Sequence, residues 1–385
     1  MMNGMKKTVA AVALLTACCG RGEQSGSGAV TSGQPTIRVG LYGAFTGSTA
    51  TFGQNTKRGV ELAISEINAS GGVLGKKLEL FSEDDQGKPE EAASAVTKLI
   101  TQNNVIGVIG ENASSRSLAA APICQARHIP MISPSSTNPD VTMKGDYIFR
   151  VCFIDSYQGR AVARFARDTL KLSRVAILRD VKNDYSVGLA KFFGDAFTAA
   201  GGKIVGDQSY VEGDNDFRSQ LTAIKALNPE AIFVPGYYTE VGQVAIQARD
   251  LGLTAPLLGG DGWDSPKLLE IGGRSLDGAY FANHYFPDEP RPAVQNFVTK
   301  YQALYHQAPE SVAALGYDAA RILAQAIQTA GSLDAAKIRD AIAKTKDFQG
   351  VAGVTTMGPD RNPIKPVALL NVTGGKITFK EWVRP

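Results

Sequence analysis

An α/β fold of two lobes, each built on a parallel sheet, is predicted by three features of this sequence: a strand–helix alternation, a length too great for one sheet, and an internal repeat. The alternation starts at "TIRVGLYG" (36–43), a β-rich apolar run. A helical pattern over Gly53 to Ala69 follows, then "KKLELFSED", a second helical pattern over Pro89 to Gln102, and the short buried run "VIGVIG". Strands alternating with helices give parallel sheets covered on both faces. The stretch from Thr36 onward exceeds what one such sheet holds, so two Rossmann-like lobes joined by a hinge are expected.

The repeat divides the chain in the same way. "TFGQNTKRGVELAISEINASGGVLGKKLELFSEDDQ" lies against "DYSVGLAKFFGDAFTAAGGKIVGDQSYVEGDN", with Phe52 near Tyr185 and both helices running into Gly-Gly. "VIGVIGENASSRSLAAAPICQARHIPMISPSST" lies against "AIFVPGYYTEVGQVAIQARDLGLTAPLLGGDGW", with Gln-Ala-Arg recurring at 125–127 and 247–249. The shared order of elements, more than any single match, carries the repeat. Ligands of open α/β sheets sit beyond the carboxyl ends of the strands. The repeat therefore pairs Phe52 with Tyr185, the serine loop 110–117 with "GYYTE" (236–240), and "SPSST" (133–137) with "GGDGW" (259–263); lobes that face each other bring all six loops to one cleft.

Composition bounds the function. The 385 residues are 44% hydrophobic and 20% charged, with 41 Gly and 18 Pro, as in an ordinary globular protein with a sizeable core. Without Lys6 and Lys7 of the N-terminal segment, 38 basic residues face 37 acidic ones, a balance unsuited to nucleic acid. Residues 1–17 have a short positive start and an apolar stretch from Thr8 to Ala17 too short to span a bilayer, which reads as an export signal. Leu15, Thr16, Ala17 and Cys18 resemble a bacterial lipoprotein processing box, making Cys18 the expected lipidation site; ordinary cleavage beside an incidental cysteine is the alternative. Residues 18–35 are Gly/Ser-rich, hence a flexible tether, and no later run reaches membrane-spanning length. Cys124 and Cys152 are expected as buried free thiols, with a disulfide the alternative in an oxidising compartment.

Candidate chemistry gathers on loops. In "GENASSRSLAAAP" (110–122), Ser114 and Ser115 stand where a helix needs an N-cap. Capping needs one hydroxyl, however, while this loop supplies several beside exposed amides, a combination suited to a carboxylate. Pro122 predicts that the helix starts late or bends. In "SPSSTNP" the prolines fix an extended turn that leaves Ser135, Ser136 and Thr137 at a strand exit. Asp261 lies in "GGDGWD", where flanking glycines permit close approach to a ligand, although a cap or turn role competes; Asp84 and Asp85 read as solvated or structural. His128, His284 and His306 show no metal-ligand spacing, "GLYGAFTG" is misspaced for a dinucleotide, and no nucleophile elbow or phosphate-binding lysine motif appears. The chain reads as a binder, not an enzyme, with no cofactor and no metal.

Five segments in order, "GAFTGSTATFGQNTKRGVELAISEINASGG" (43–72), "PMISPSSTNP" (130–139), "FRVCFIDSYQG" (149–159), "GYYTEVGQ" (236–243) and "GYDAARIL" (316–323), resemble the leucine/isoleucine/valine-binding family of type I periplasmic binding proteins. The resemblance covers nearly all of residues 36–385 and implies an extracytoplasmic, monomeric protein delivering a free amino acid to the permease subunits of an ABC importer. The alternative is a sensor passing an amino-acid signal to a membrane receptor. By this resemblance Ser114, Ser115 and Thr137 hold the ligand carboxylate, while Ser135, Thr137 and Asp261 hold its ammonium. Tyr185 and Tyr237 close over it, and Phe52, Asn112, Ala113, Trp263 and Tyr317 belong to the side-chain pocket. Asn112 departs from the aliphatic wall that leucine would favour. The family topology also implies lobes of 36–155 plus 285–363 and of 156–284 plus 364–385, and localisation in the periplasm or at the cell surface.

Overall fold

The computed structural model describes residues 36–384; the export signal, Cys18 and the tether lie outside them. The first sheet takes shape from β1 (Thr36–Gly43), α1 (Ala50–Ala69), β2 (Lys77–Asp84), α2 (Pro89–Thr101), β3 (Val108–Ile109), α3 (Ser114–Ala126), β4 (Met131–Ser133) and β5 (Ile148–Arg150). Its five strands run in the order β2-β1-β3-β4-β5 and every pairing is parallel. Alternation of apolar residues across helix turns puts Val60, Leu62, Ala63 and Ile64 of α1 into the core and leaves charged residues outside.

The chain then crosses through α4 (Asp155–Arg164) to the second sheet. Its elements are β6 (Arg174–Asp180), α5 (Asp184–Ala199), β7 (Lys203–Tyr210), α6 (Arg218–Ala226), β8 (Ala231–Phe233), α7 (Tyr238–Asp250), β9 (Leu257–Gly259), α8 (Pro266–Gly272) and β10 (Tyr280–Asn283). It crosses back into α9 (Pro292–Tyr305), α10 (Ser311–Ala330) and α11 (Ala335–Ala343), then the small hairpin β11 (Phe348–Gly350) and β12 (Gly353–Thr355). Finally β13 (Val367–Thr373) and β14 (Lys376–Val383) join the second sheet, giving the order β14-β13-β10-β9-β8-β6-β7. β13 runs antiparallel to β10, and β14 to β13, so this sheet is mixed at one edge.

Helix α10 packs along α1 and shares a core with β1. The approach is close because Gly59 has no side chain: a Cβ there would lie 2.0 Å from the Ala313 carbonyl oxygen. Among the described residues no helix is long and apolar enough to cross a membrane. Cys124 and Cys152 are free and buried, with burial pushing each thiol up to about 12.

Candidate functional site

The carboxyl ends of strands from both sheets converge on one narrow cavity. First-sheet elements and α10 contribute Phe52, Asn112, Ser135, Ser311 and Val312. Second-sheet elements contribute Tyr185, Tyr237, Asp261, Gly262 and His284. Each of the six loops paired by the repeat therefore supplies a wall residue. The cavity is small, with ≈ 290 Å³ of empty space. A larger groove between α1, α9 and α10, with ≈ 1240 Å³ of empty space, is open and remote from these loops, so the narrow cavity is the candidate site on chemical grounds.

Asp261 opens a single 3₁₀ turn after β9 and is nearly buried. Its Oδ1 accepts from Gln158 Nε2 at 3.0 Å, its Oδ2 lies 3.0 Å from His284 Nε2, and its backbone N–H donates to Gln158 Oε1 at 2.8 Å. The His284 ring stacks on Phe153 at 3.9 Å, which fixes its plane. Asp155 sits behind this group, and burial, then the Asp261 charge, hold its carboxyl well above the ordinary range. The acid aimed at the cavity is thus oriented by two side chains. Tyr185 and Tyr237 stack with ring centres 5.4 Å apart, and Phe52 meets Tyr237 edge-on at 5.9 Å, forming an aromatic wall. The Tyr185 hydroxyl accepts from Gly262 N–H at 3.1 Å, tying this wall to the Asp261 turn.

The serines of the two first-sheet loops turn inward to the backbone. The hydroxyls of Ser133 and Ser136 donate to the Glu111 carbonyl at 2.7 and 2.8 Å, and Ser117 and Ser136 share a hydrogen bond of 2.7 Å. Below them Arg150 of β5 donates to the carbonyls of Ser136, Asn138 and Pro139, propping the loop that carries Ser135. At Gly110 φ is +132°, and a Cβ would lie 2.3 Å from the Tyr42 carbonyl oxygen, so glycine is required where the first loop leaves β3. Helix α3 begins directly at Ser114 and continues through Pro122, which corrects the expected late start or bend. Its N-cap is Ala113, with no side-chain cap. The Ser114 hydroxyl instead accepts from Asn138 N–H at 3.2 Å, and the Ser115 hydroxyl from Asp184 N–H of the second-sheet side at 3.0 Å.

A second cross-cleft contact lies outside the cavity. Buried Arg116 donates to Thr49 Oγ1 at 2.8 Å and to Glu212 Oε1 at 3.1 Å, and stands 3.9 Å from Glu111 Oε1. Glu212, from the loop after β7, also accepts from the Ser48 hydroxyl at 2.8 Å. Burial works against the Arg116 charge, but Glu111 and then Glu212 keep its pKa raised. Burial, then the Glu111 charge, lift the neighbouring Asp85 from 3.8 to about 8. The native state therefore holds a proton that the unfolded chain has released between about pH 4 and pH 8. That contribution to stability is complete below pH 4 and is lost as pH rises through about 8. Asp85→Asn should accordingly raise the melting temperature at pH 8.5 and leave it nearly unchanged at pH 4, measured by calorimetry across that range.

Of the residues singled out in the sequence, Phe52, Asn112, Ser135, Tyr185, Tyr237 and Asp261 meet at the cavity. Thr137 is buried behind the loop, where its carbonyl accepts from Asp155 N–H at 2.9 Å. Ala113 donates its N–H to Glu111 and packs into the core. Ser114, Ser115, Thr137 and Ala113 are not among the wall residues. Trp263 is also displaced from the pocket: it is fully buried against Gly259, and its indole N–H donates to the Val234 carbonyl at 3.0 Å. Tyr317 sits at the remote groove, its hydroxyl donating to Glu66 at 2.6 Å, because the α10 face that carries it turns toward α1 and α9. His284, Ser311, Val312 and Gly262 are wall residues that sequence reasoning missed. His284 follows β10 at its carboxyl end, a placement signal hidden by weighing the histidine only as a metal ligand. Among the described residues no group of three or more His, Cys, Asp or Glu is placed to hold a metal ion.

Two α/β halves that close hydrogen-bonding and aromatic groups onto a small interior cavity define a ligand-binding protein. A family model described as periplasmic binding protein matches residues 36–376. A Leu/Ile/Val-binding protein homolog of Brucella melitensis is 30% identical over 322 residues, covering 83% of this chain and 86% of the relative. A leucine binding protein from Thermotoga maritima superposes with a TM-score of 0.88 at 39% identity, covering 91% of this chain and 99% of that one. The branched-chain amino acid transporter substrate binding protein of Streptococcus pneumoniae, solved with isoleucine, gives 0.86 at 35% identity, covering 91% and 100%. The chain belongs to the Leu/Ile/Val-binding family of type I periplasmic binding proteins. It is an extracytoplasmic substrate-binding protein and not an enzyme.

Proposed function

We propose that this protein captures a free neutral amino acid, branched-chain or other, between its two lobes and presents it to the permease of an ABC importer. The supporting observation is the cavity itself, where Asp261 from the second sheet faces Ser135 and Asn112 from the first, under the wall of Tyr185, Tyr237 and Phe52. Asp261 pairs with the ammonium. The carboxylate goes to the serine-loop side, to Ser114, Ser115 and Thr137; parting of the lobes releases the cross-cleft bond from Asp184 N–H to Ser115, while Ser114 keeps its same-lobe partner, Asn138 N–H, and the buried Thr137 hydroxyl has no hydrogen-bond partner among the described residues. The lobes are 36–155 plus 285–363 and 156–284 plus 364–385, and hinge closure sequesters the ligand. The protein acts as a monomer, held at the membrane by lipid on Cys18.

A buried zwitterion needs charge-assisted hydrogen bonds at both ends, each contributing about 1.5 to 3 kcal/mol. A thermal-shift screen of the free amino acids tests the reading. The cognate ligand at 100 times its Kd stabilises the protein by about 2.7 kcal/mol, a clear upward shift in Tm. A flat response to every amino acid would refute it.

A further inference from the structure

We propose that the captured amino acid carries a hydrogen-bonding side chain, a hydroxyl or a carboxamide, in place of a purely aliphatic one; the inference rests on the amino-acid reading above. With Asp261 and the serine-loop side assigned to the ligand's charged ends, the wall still presents Asn112 and His284. Both are built in place. Asn112 Oδ1 accepts from the Ser135 hydroxyl at 3.0 Å and from the Thr56 hydroxyl at 3.1 Å, and all three residues are buried. These bonds, from a loop and from α1, lock the carboxamide, and no described residue accepts from its Nδ2. With the amide reversed, the same hydroxyls would face the nitrogen and the carbonyl would be the unspent group. Either way one end of the Asn112 amide lacks a partner among the described residues.

His284 is complementary. Its Nε2 is committed to Asp261 and its ring is stacked on Phe153, while buried Nδ1 has no hydrogen-bond partner among the described residues. A neutral imidazole donating from Nε2 to the Asp261 carboxylate leaves Nδ1 as an acceptor. The wall therefore offers an amide group and an imidazole acceptor, and a hydroxyl or a carboxamide answers both by donating and accepting at once. An aliphatic side chain would bury both groups unpaired, the situation in which a site built for hydrogen bonding rejects the isostere that lacks it. The narrow interior and the rings of Phe52 and Tyr237 favour a short side chain.

Calorimetry on the purified protein with two isosteric pairs, threonine against valine and asparagine against leucine, gives the test. The expected result is a preference of about tenfold or more for the polar member of at least one pair. Asn112→Leu, checked by circular dichroism for native folding, should narrow or reverse that preference. Tighter binding of valine and leucine by the unaltered protein would overturn this inference while leaving the amino-acid reading intact. A polar preference unchanged in Asn112→Leu would also overturn it. Failure of every amino acid to bind would overturn both.

Discussion

Asp261→Ala is expected to weaken amino-acid binding by about 3 to 5 kcal/mol, between about two and four orders of magnitude in Kd. Among the described residues the substitution removes the only carboxylate on the cavity wall, and it leaves a ligand ammonium buried without its counter-charge. It also strips Gln158 Nε2 and His284 Nε2 of their common acceptor, so the supporting pair loses its orientation. Titration calorimetry of the variant against the ligand found in the thermal screen measures the loss directly. Asp261→Asn separates charge from shape: it keeps a hydrogen-bonding group in the turn and removes the charge, and its affinity should fall almost as far. Affinity within threefold of the unaltered protein in both variants would mean that the ammonium is held elsewhere.

Arg116→Ala should destabilise the fold by about 3 to 5 kcal/mol, the usual cost of removing one partner from a buried ion cluster. Arg116 is 3% exposed, and without its guanidinium the carboxyls of Glu111 and Glu212 lose the cation between them. Urea unfolding of variant and parent gives the difference. Glu212→Gln separates the two duties of the cluster. Glu212 comes from the second sheet and is partly exposed, so its loss should change the unfolding midpoint little. Ligand affinity should still fall, because the Arg116–Glu212 contact is made only when the halves are together. A double-mutant cycle over Arg116 and Glu212 isolates their coupling.

The alternation of apolar runs and amphipathic patterns made the α/β class legible, since it depends on local periodicity alone. The paired loops were legible for a related reason: the repeat preserved their order, and strand ends are where such folds put ligands. Trp263 and Tyr317 were not legible. An aromatic residue near a site loop points to the cavity or the core according to the register of one turn, and Gly259 opens a slot that takes the Trp263 indole inward. The serines misled in a similar way. Their number was a sound signal of a demanding backbone, but the demand came largely from the Glu111 carbonyl, which accepts from the hydroxyls of Ser117, Ser133 and Ser136. The partnership of His284 with Asp261 joins residues 23 positions apart on neighbouring strand ends, and no spacing rule encodes it.

The core shared by β1, α1 and α10 has a consequence for the timing of folding. Ile37, Val39 and Leu41 pack in one cluster with Leu315, Ile322 and Leu323, so a nascent chain cannot close its first core until almost all of it has been made. Contacts of such sequence separation form slowly, because a long loop must be ordered before they repay it. An extracytoplasmic protein has to cross a membrane before it works. A chain whose earliest strands wait for its late helices stays threadable for the length of that passage.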